Sequence, residues 1–301
     1  MKKVDHSEVT AGLVKRLRTV VQEAPHLDEA AQLYEAMLPL LDAADLDPAP
    51  VSMTADQARE KMGKGIPLLR DLDVGLNVDA VRGLMSDLAR ALEAKGRPKE
   101  AYRRLRIAIE KETLEAGGLL SHILAGEYDQ VASAADALAL DPGLLLSLAR
   151  NALKPALHTW CRQLSPLAEG IPWEKEFCFV CGAGVLLAEL QGNEQAMHLR
   201  CGQCGADWPH RRLSCVQCGN EDHRTLGYLY AGDQRDKMRA EVCDKCKGYI
   251  KVIATFAPTP AGLLTVEDLA TVHLDYIAEE HGYCRIASGQ DSCAKAGMQQ
   301  T

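Results

Sequence analysis

The chain has 301 residues, of which 47% are hydrophobic and 25% charged, so it is long enough for more than one hydrophobic core and too apolar to be disordered throughout. Its formal net charge is −8, a sign that disfavours a protein whose whole surface binds nucleic acid or an anionic membrane. From the length we expect at least two domains. No window approaches the roughly 18 consecutive apolar residues of a membrane span, and the first ten residues lack a signal peptide's apolar stretch. We therefore expect a cytoplasmic protein.

The first part of the chain, residues 1–165, is rich in alanine and leucine and predicts an all-α domain. Over residues 77–92, apolar side chains recur at helical spacing behind an asparagine that suits a helix N-cap. Another helix is predicted from Asp28, where Pro39 should kink it or end it early. A long last helix is predicted to begin at Asp141. In total we expect six or seven helices joined by short turns.

Residues 166–173 contain two prolines and a glycine and are predicted to be a linker. Beyond them the sequence predicts short hairpin strands over residues 185–190, 197–200, 225–230 and 249–256. The predicted domains that follow the linker are a first metal module (174–212), a second metal module (213–258), and a C-terminal helix with a polar tail (259–301). The helix is expected over residues 266–281, where helical spacing returns.

Eight of the eleven cysteines form four Cys-x-x-Cys pairs. The pairs are Cys178/Cys181, Cys201/Cys204, Cys215/Cys218 and Cys243/Cys246. Two thiolates so close in sequence can bind one ion only if the chain turns sharply, and a glycine follows each pair at once or one residue later. Sequential pairing leaves 19 and 24 residues between the paired motifs, spacings typical of zinc ribbons and rubredoxins. We therefore predict two four-cysteine sites with two metal ions, and we favour this pairing over a crossed arrangement.

The sequence predicts the ligands more specifically than it predicts the metal or the chemistry of the sites. Four thiolates select zinc or iron, and the ligand set does not separate the two. A closed site leaves no coordination position for water, so metal-assisted hydrolysis is not expected. A redox dithiol is a weaker alternative because four pairs with trailing glycines fit ligands better. Cys161 is predicted to be a buried thiol, and Cys284 and Cys293 are predicted to be tail thiols without a ligand role.

One basic and aromatic stretch lies between the two predicted modules. It contains Trp208, His210, Arg211 and Arg212. The simpler interpretation is a packed connector with solvated arginines, and the functional one is a surface for a partner protein. Together with Arg200 and Lys245, these arginines could also partly offset the net charge of −2 that a divalent ion and four thiolates would carry.

The sequences around the cysteine pairs are distinctive. They are His198-Leu199-Arg200-Cys201, Asp207-Trp208-Pro209-His210, Ala240-Glu241-Val242-Cys243, Gly248-Tyr249-Ile250-Lys251 and Glu267-Asp268-Leu269-Ala270. In these stretches and in the order of the four pairs, the chain resembles FdhE, the family of formate dehydrogenase accessory proteins. In the helical part the resemblance is limited to a few stretches, among them Gly65-Ile66-Pro67-Leu68. The sequence departs from the family in the first sixty residues and in the tail.

The resemblance implies an all-helical domain joined to two rubredoxin-like modules that bind iron, in a protein that is not itself an enzyme. It also implies a cytoplasmic partner, the catalytic subunit of a molybdenum or tungsten formate dehydrogenase during maturation. One alternative is a zinc-ribbon adaptor for nucleic acid or a transcription complex, which the 11 basic and 12 acidic residues of positions 167–258 disfavour. Another is a rubredoxin-like electron carrier.

Overall fold

The computed structural model describes residues 6–46, 48–72 and 74–285 of the chain. They divide into two compact units. The first unit contains Met1–Ser52 and Leu69–Leu164, and the second contains Met53–Leu68 and Ser165–Thr301. The segment Met53–Leu68, which the predicted boundary at residue 165 assigns to the helical domain, thus lies with the cysteine half.

The first unit is all-α in its described residues, as predicted. Its helices are α1 (His6–Glu23), α2 (Asp28–Ala43), α4 (Val78–Lys95), α5 (Lys99–Glu110), α6 (Ala116–Ala125), α7 (Tyr128–Ala137) and α8 (Pro142–Leu164), whereas α3 (Ala55–Gly63) belongs to the second unit. The predicted apolar face of α4 is buried from Val81 to Leu92. Helix α2 continues past Pro39, so the prediction of an early end is wrong. Burial of the neighbouring Met37 and Leu38 compensates for the hydrogen bond that proline cannot donate.

Helix α8 packs on α2, α4, α6 and α7 in the first unit. Trp160 on this helix is fully buried, and its indole N–H donates to the Ala49 carbonyl over 3.1 Å. Cys161 is buried beside it, as predicted. Among the described residues no single helix is long and apolar enough to cross a membrane; only α7 together with Pro142–Ala168 meets that length and composition, across a bend of 116°.

The second unit contains one seven-stranded sheet. Its strands are β1 (Leu187–Gln191), β2 (Ala196–Arg200), β3 (Asp207–Pro209), β4 (Leu226–Leu229), β5 (Met238–Cys243), β6 (Gly248–Thr255) and β7 (Cys284–Arg285). The strand order is β3-β2-β1-β6-β5-β4, and β7 pairs with β6. The β1–β2 and β5–β6 pairs are antiparallel, whereas β1 and β6 pair in parallel, from Ala188 opposite Val252 to Gln191 opposite Thr255.

The predicted β modules are therefore present, but they share a single sheet. Leu187, Ala188 and Val252 are at most 1% exposed, as expected of central strands that are covered on both faces. The parallel β1–β6 pair joins strands that come from the two predicted modules.

The C-terminal helix is broken into α9 (Leu264–Ala270) and α10 (Val272–Glu280). The break lies at Thr271, whose buried hydroxyl donates to the Glu267 carbonyl over 2.8 Å. Leu274 and Ala278 of α10 pack on buried residues of β5 and β6. Cys284 lies in β7 rather than in a loose tail, which corrects the prediction for that residue, and Cys293 lies outside the described residues.

A buried ionic network holds these helices to the sheet. Lys251 is 1% exposed, and its ammonium group contacts the carboxylates of Asp275 at 2.6 Å and Asp268 at 2.8 Å. The Tyr249 hydroxyl donates to Asp275 over 2.8 Å. The charge of Lys251 is therefore paired and hydrogen-bonded, as a buried cation requires.

Candidate metal centres

The four cysteines of the first two pairs form one group, the first cluster. The sulfurs of Cys178 and Cys204 lie 3.4 Å apart, those of Cys181 and Cys201 lie 3.6 Å apart, and all four sulfurs are within 4.8 Å of one another. The four residues are brought together by the β1–β2 hairpin, because one pair precedes it and the other follows it.

The last two pairs form the second cluster in the same way. The sulfurs of Cys215 and Cys246 lie 3.6 Å apart, and those of Cys218 and Cys243 lie 3.8 Å apart. In a regular tetrahedron with metal–sulfur bonds of about 2.3 Å, neighbouring sulfurs are about 3.8 Å apart. Both groups fit one tetrahedrally coordinated ion, so the part of the chain that the structure describes has two four-cysteine groups that could hold metal ions. The predicted sequential pairing is confirmed.

Glycines complete three of the four metal-binding turns. Gly182, Gly205 and Gly219 have φ of +75°, +78° and +65°, and each donates its N–H over 2.9 Å to the carbonyl of the first cysteine of its pair. In the fourth turn Lys247 takes this conformation, with φ of +56°. Gly248 has a different role there, because a Cβ at this position would lie 1.9 Å from the Gln217 amide oxygen.

Backbone N–H groups point at the sulfurs. The N–H of Val180 donates to Cys178 over 3.3 Å, and that of Gln203 donates to Cys201 over 3.4 Å. Hydrogen bonds from the neighbouring thiols lower the pKa of Cys201 well below its usual value. Burial opposes ionisation of Cys243, but the N–H groups of Cys246 and Lys245 lower its pKa to about 7. In Cys201 and Cys243 these hydrogen bonds favour the thiolate form that a metal ion needs, whereas burial raises the pKa of Cys178 and Cys215.

A pair of aromatic side chains lies at the first metal-binding turn. The rings of Phe179 and Trp208 meet edge to face with centroids 6.0 Å apart, and Trp208 is only 3% exposed. Its ring is therefore not available to a partner, which corrects its place in the predicted partner surface. Tryptophan packed beside a metal-binding turn adds core to a module that has little.

The other members of the predicted partner surface differ in their surroundings. Burial lowers the pKa of His210, which is partly covered. Arg211 is exposed and pairs with Glu174 at 2.7 Å and Glu221 at 3.0 Å. Arg212 is also exposed. Because Arg211 is held by carboxylates, it is not free to offset the charge of the second cluster.

A buried polar network behind the first cluster was not predicted from the sequence. Glu189 of β1 is fully buried and pairs with Arg200 of β2, which is 2% exposed. Arg200 also donates to the Thr259 carbonyl over 2.7 Å, and Glu189 accepts the Thr259 N–H over 3.1 Å. The available signal was a glutamate inside an apolar strand. Arg200, expected to offset the thiolate charge, instead neutralises this carboxylate.

Comparison with known proteins finds similarity to one family. The family described as FdhE, C-terminal domain, matches residues 213–290. An FdhE homolog from Aquifex aeolicus is 29% identical over 62% of this chain and 67% of its own length, and one from Rhizobium meliloti is 25% identical over 87% and 81%. Other curated relatives are matched over less of their length, such as 51% of the Stutzerimonas stutzeri homolog.

The likeness extends to a solved structure. The crystal structure of the FdhE protein from Pseudomonas aeruginosa matches with a TM-score of 0.61 at 26% identity, over 92% of this chain and 93% of that one. The match therefore includes both the helical unit and the unit with the two cysteine clusters. In its C-terminal domain, its relatives and its fold, the chain is similar to FdhE proteins.

Proposed function

We propose that this protein is a non-enzymatic accessory factor for a formate dehydrogenase, acting in the cytoplasm on the enzyme's catalytic subunit during maturation. The observation that carries the proposal is the pair of four-cysteine clusters on a fold shared with FdhE along most of the chain. The family resemblance supplies the partner. Reaction chemistry at the clusters is not needed for this role, because four thiolates complete a tetrahedral coordination shell.

The eight cysteines of the two clusters are the proposed ligands, with one ion in each cluster. Iron is favoured by the resemblance to rubredoxin-like modules, and zinc is the alternative, because both are suited to thiolate tetrahedra. Elemental analysis of anaerobically prepared protein tests the stoichiometry. Ferric iron would make the protein red, whereas zinc would leave it colourless. Fewer than two ions per chain would contradict the proposal.

Deleting the protein is expected to lower formate dehydrogenase activity without changing transcription of the enzyme's genes. The physical reason is that an accessory factor acts on the folded or folding subunit and not on its synthesis. Activity is measured in extracts of the deletion strain and of the same strain complemented with the intact chain. Normal activity in the deletion strain would remove the proposal.

The partner itself is identified by affinity purification of the full chain from its native cytoplasm. A co-purifying dehydrogenase catalytic subunit supports the proposal, whereas RNA polymerase or nucleic acid would favour the adaptor alternative. The exposed Arg211 and Arg212 are proposed contacts, so the double substitution Arg211→Glu/Arg212→Glu is expected to reduce capture while the metal content stays unchanged. Arg224→Glu is the matched control, because Arg224 is exposed in the same unit and pairs only locally with Asp222.

A further inference from the structure

The two clusters differ in how far their sulfurs are shielded from solvent. In the first cluster Cys178 and Cys201 have no exposed surface, Cys204 is 2% exposed, and only Cys181 is partly exposed. In the second cluster Cys215 and Cys243 are buried, Cys246 is partly exposed, and Cys218 is exposed. One ligand of the second cluster is thus open to solvent.

A segment from far away in the sequence, Met53–Leu68, here called the cover segment, contacts the first metal-binding turn. Its last residue, Leu68, is fully buried, and the Leu68 N–H donates to the Phe179 carbonyl over 2.7 Å. Phe179 lies inside the first metal-binding turn, between Cys178 and Cys181. The cover segment is therefore bonded directly to the turn that holds two of the four sulfurs.

The start of the cover segment is also well fixed. Helix α3 begins with a complete capping box, in which Thr54 and Gln57 satisfy each other's backbone N–H groups. The chain then turns at Gly65, with φ of +71°, and the Ile66 N–H donates to the Lys61 carbonyl over 2.9 Å. To open the first metal-binding turn, the Leu68–Phe179 hydrogen bond must break or this ordered segment must move.

Two clefts border the second cluster. A cleft of about 300 Å³ reaches Cys215 and Cys218, and another of about 160 Å³ reaches Cys215 and Cys243. Carboxylates of Glu174 and Glu221 line the first of these clefts. An incoming donor atom can therefore approach the metal position along the Cys218 side without unfolding of the module.

We infer that the second centre exchanges its metal ion, through ligand replacement at Cys218, whereas the cover segment keeps the first centre from exchanging. In the first step the bond from the metal to Cys218 breaks as a bond to the incoming ligand forms, and the released thiolate takes a proton from water. The three remaining metal–sulfur bonds are then replaced by ligand bonds in the same way, and the ion leaves with the incoming ligand. The oxidation state of the metal does not change. Exchange at the first centre requires local opening of the structure around it, and the free energy that this opening costs slows the exchange. The inference rests on the proposed metal binding and not on the proposed partner.

The test uses the full chain loaded with two zinc ions and mixed with an excess of the chromogenic chelator 4-(2-pyridylazo)resorcinol. We expect zinc release in two phases of equal amplitude, one ion in each. The rates of the two phases should differ about tenfold or more, since about 1.4 kcal/mol of opening free energy corresponds to a tenfold difference. Cys218→Ser should lack the fast phase, and Cys181→Ser should lack the slow one. A single phase that releases both ions, or a fast phase that survives in Cys218→Ser, would overturn the inference.

A substitution in the cover segment tests whether this segment causes the slow phase. Leu68→Ala should accelerate the slow phase about tenfold, the size of effect that residues outside the ligand shell have on metal binding, and should leave the fast phase unchanged. Leu264→Ala is the matched control, because Leu264 is equally buried but packs against Leu187 and Ile253 of the central strands. Equal acceleration by both variants, or none by Leu68→Ala, would contradict the role of the cover segment.

A measurement on the unaltered protein guards against variants that fail to fold. In the zinc-loaded chain, iodoacetamide should modify Cys218 before any cysteine of the first cluster, as read by peptide mass spectrometry. Modification of Cys178, Cys201 or Cys204 first would refute the inference. None of these measurements involves formate dehydrogenase, so a failure here is distinguishable from a failure to find the partner.

Discussion

Replacing Cys204 by serine is expected to remove one metal ion per chain and to unfold the first metal module. Cys204 is 2% exposed, and its sulfur lies 3.4 Å from that of Cys178, so a serine there leaves three thiolates, two of them buried, without a complete shell. Metal binding supplies folding free energy of the order of 10 kcal/mol in zinc-finger peptides, more than a small module's core provides. Elemental analysis and limited proteolysis measure the two effects.

The second cluster should keep its ion in this variant. It has a core of its own, in which Val242 and Tyr249 of the sheet pack on Leu274 of α10. The melting temperature of the second metal module should nevertheless fall, because β6 loses part of its pairing with β1. Cys246→Ser should have the converse effect on the ions. Cys161→Ala is the control, since Cys161 is buried in the helical unit, and loss of either ion there would contradict the assignment of ligands.

Replacing Glu189 by alanine is expected to destabilise the second unit by about 3–5 kcal/mol, the usual cost of leaving a buried charge without its partner. Arg200 is 2% exposed and would lose the carboxylate that neutralises it. The Thr259 N–H would lose its acceptor as well. Urea denaturation followed by circular dichroism measures the change in the free energy of unfolding, with the metal content checked before each experiment.

The double substitution Glu189→Leu/Arg200→Met separates loss of charge pairing from loss of packing. Because it removes both charges and keeps apolar volume, it should recover much of the stability lost by Glu189→Ala. The exposed pair of Asp222 and Arg224 provides a second comparison, and Asp222→Ala should have little effect. A Glu189→Ala variant as stable as the parent protein would show that the buried pair does not stabilise the sheet.

Sequence patterns were sufficient where the structure is local. The apolar stripe of α4, its Asn77 N-cap and the four cysteine pairs are each encoded within a few residues, and each is found as predicted. The same holds for the hairpin formed by β1 and β2, whose strands are close in sequence. Pro39 is the local exception, since its effect depends on how much of the helix is buried.

Features that depend on distant residues were not predictable in this way. Nothing in the spacing of Leu187 or Val252 indicates that their strands pair in parallel. A buried parallel strand is apolar on both of its faces, and this pattern does not identify the strand with which it pairs. Leu68 likewise reads as part of the helical domain, although its N–H bonds to Phe179 beside the first cluster. For Trp208 the sequence left open a packed connector and a partner surface, and its burial depends on contact with Phe179, which lies elsewhere in the chain.

The parallel pairing of β1 with β6 has a consequence for synthesis on the ribosome. All four cysteines of the first cluster leave the exit tunnel before Val252, the residue that pairs with Ala188. Until β6 emerges, the nascent chain carries β1 as a strand with one unpaired edge, which is prone to pair with other chains. Early capture of an ion by the first four cysteines would hold that edge in place, so metal supply during translation should govern how much of the protein reaches its native state.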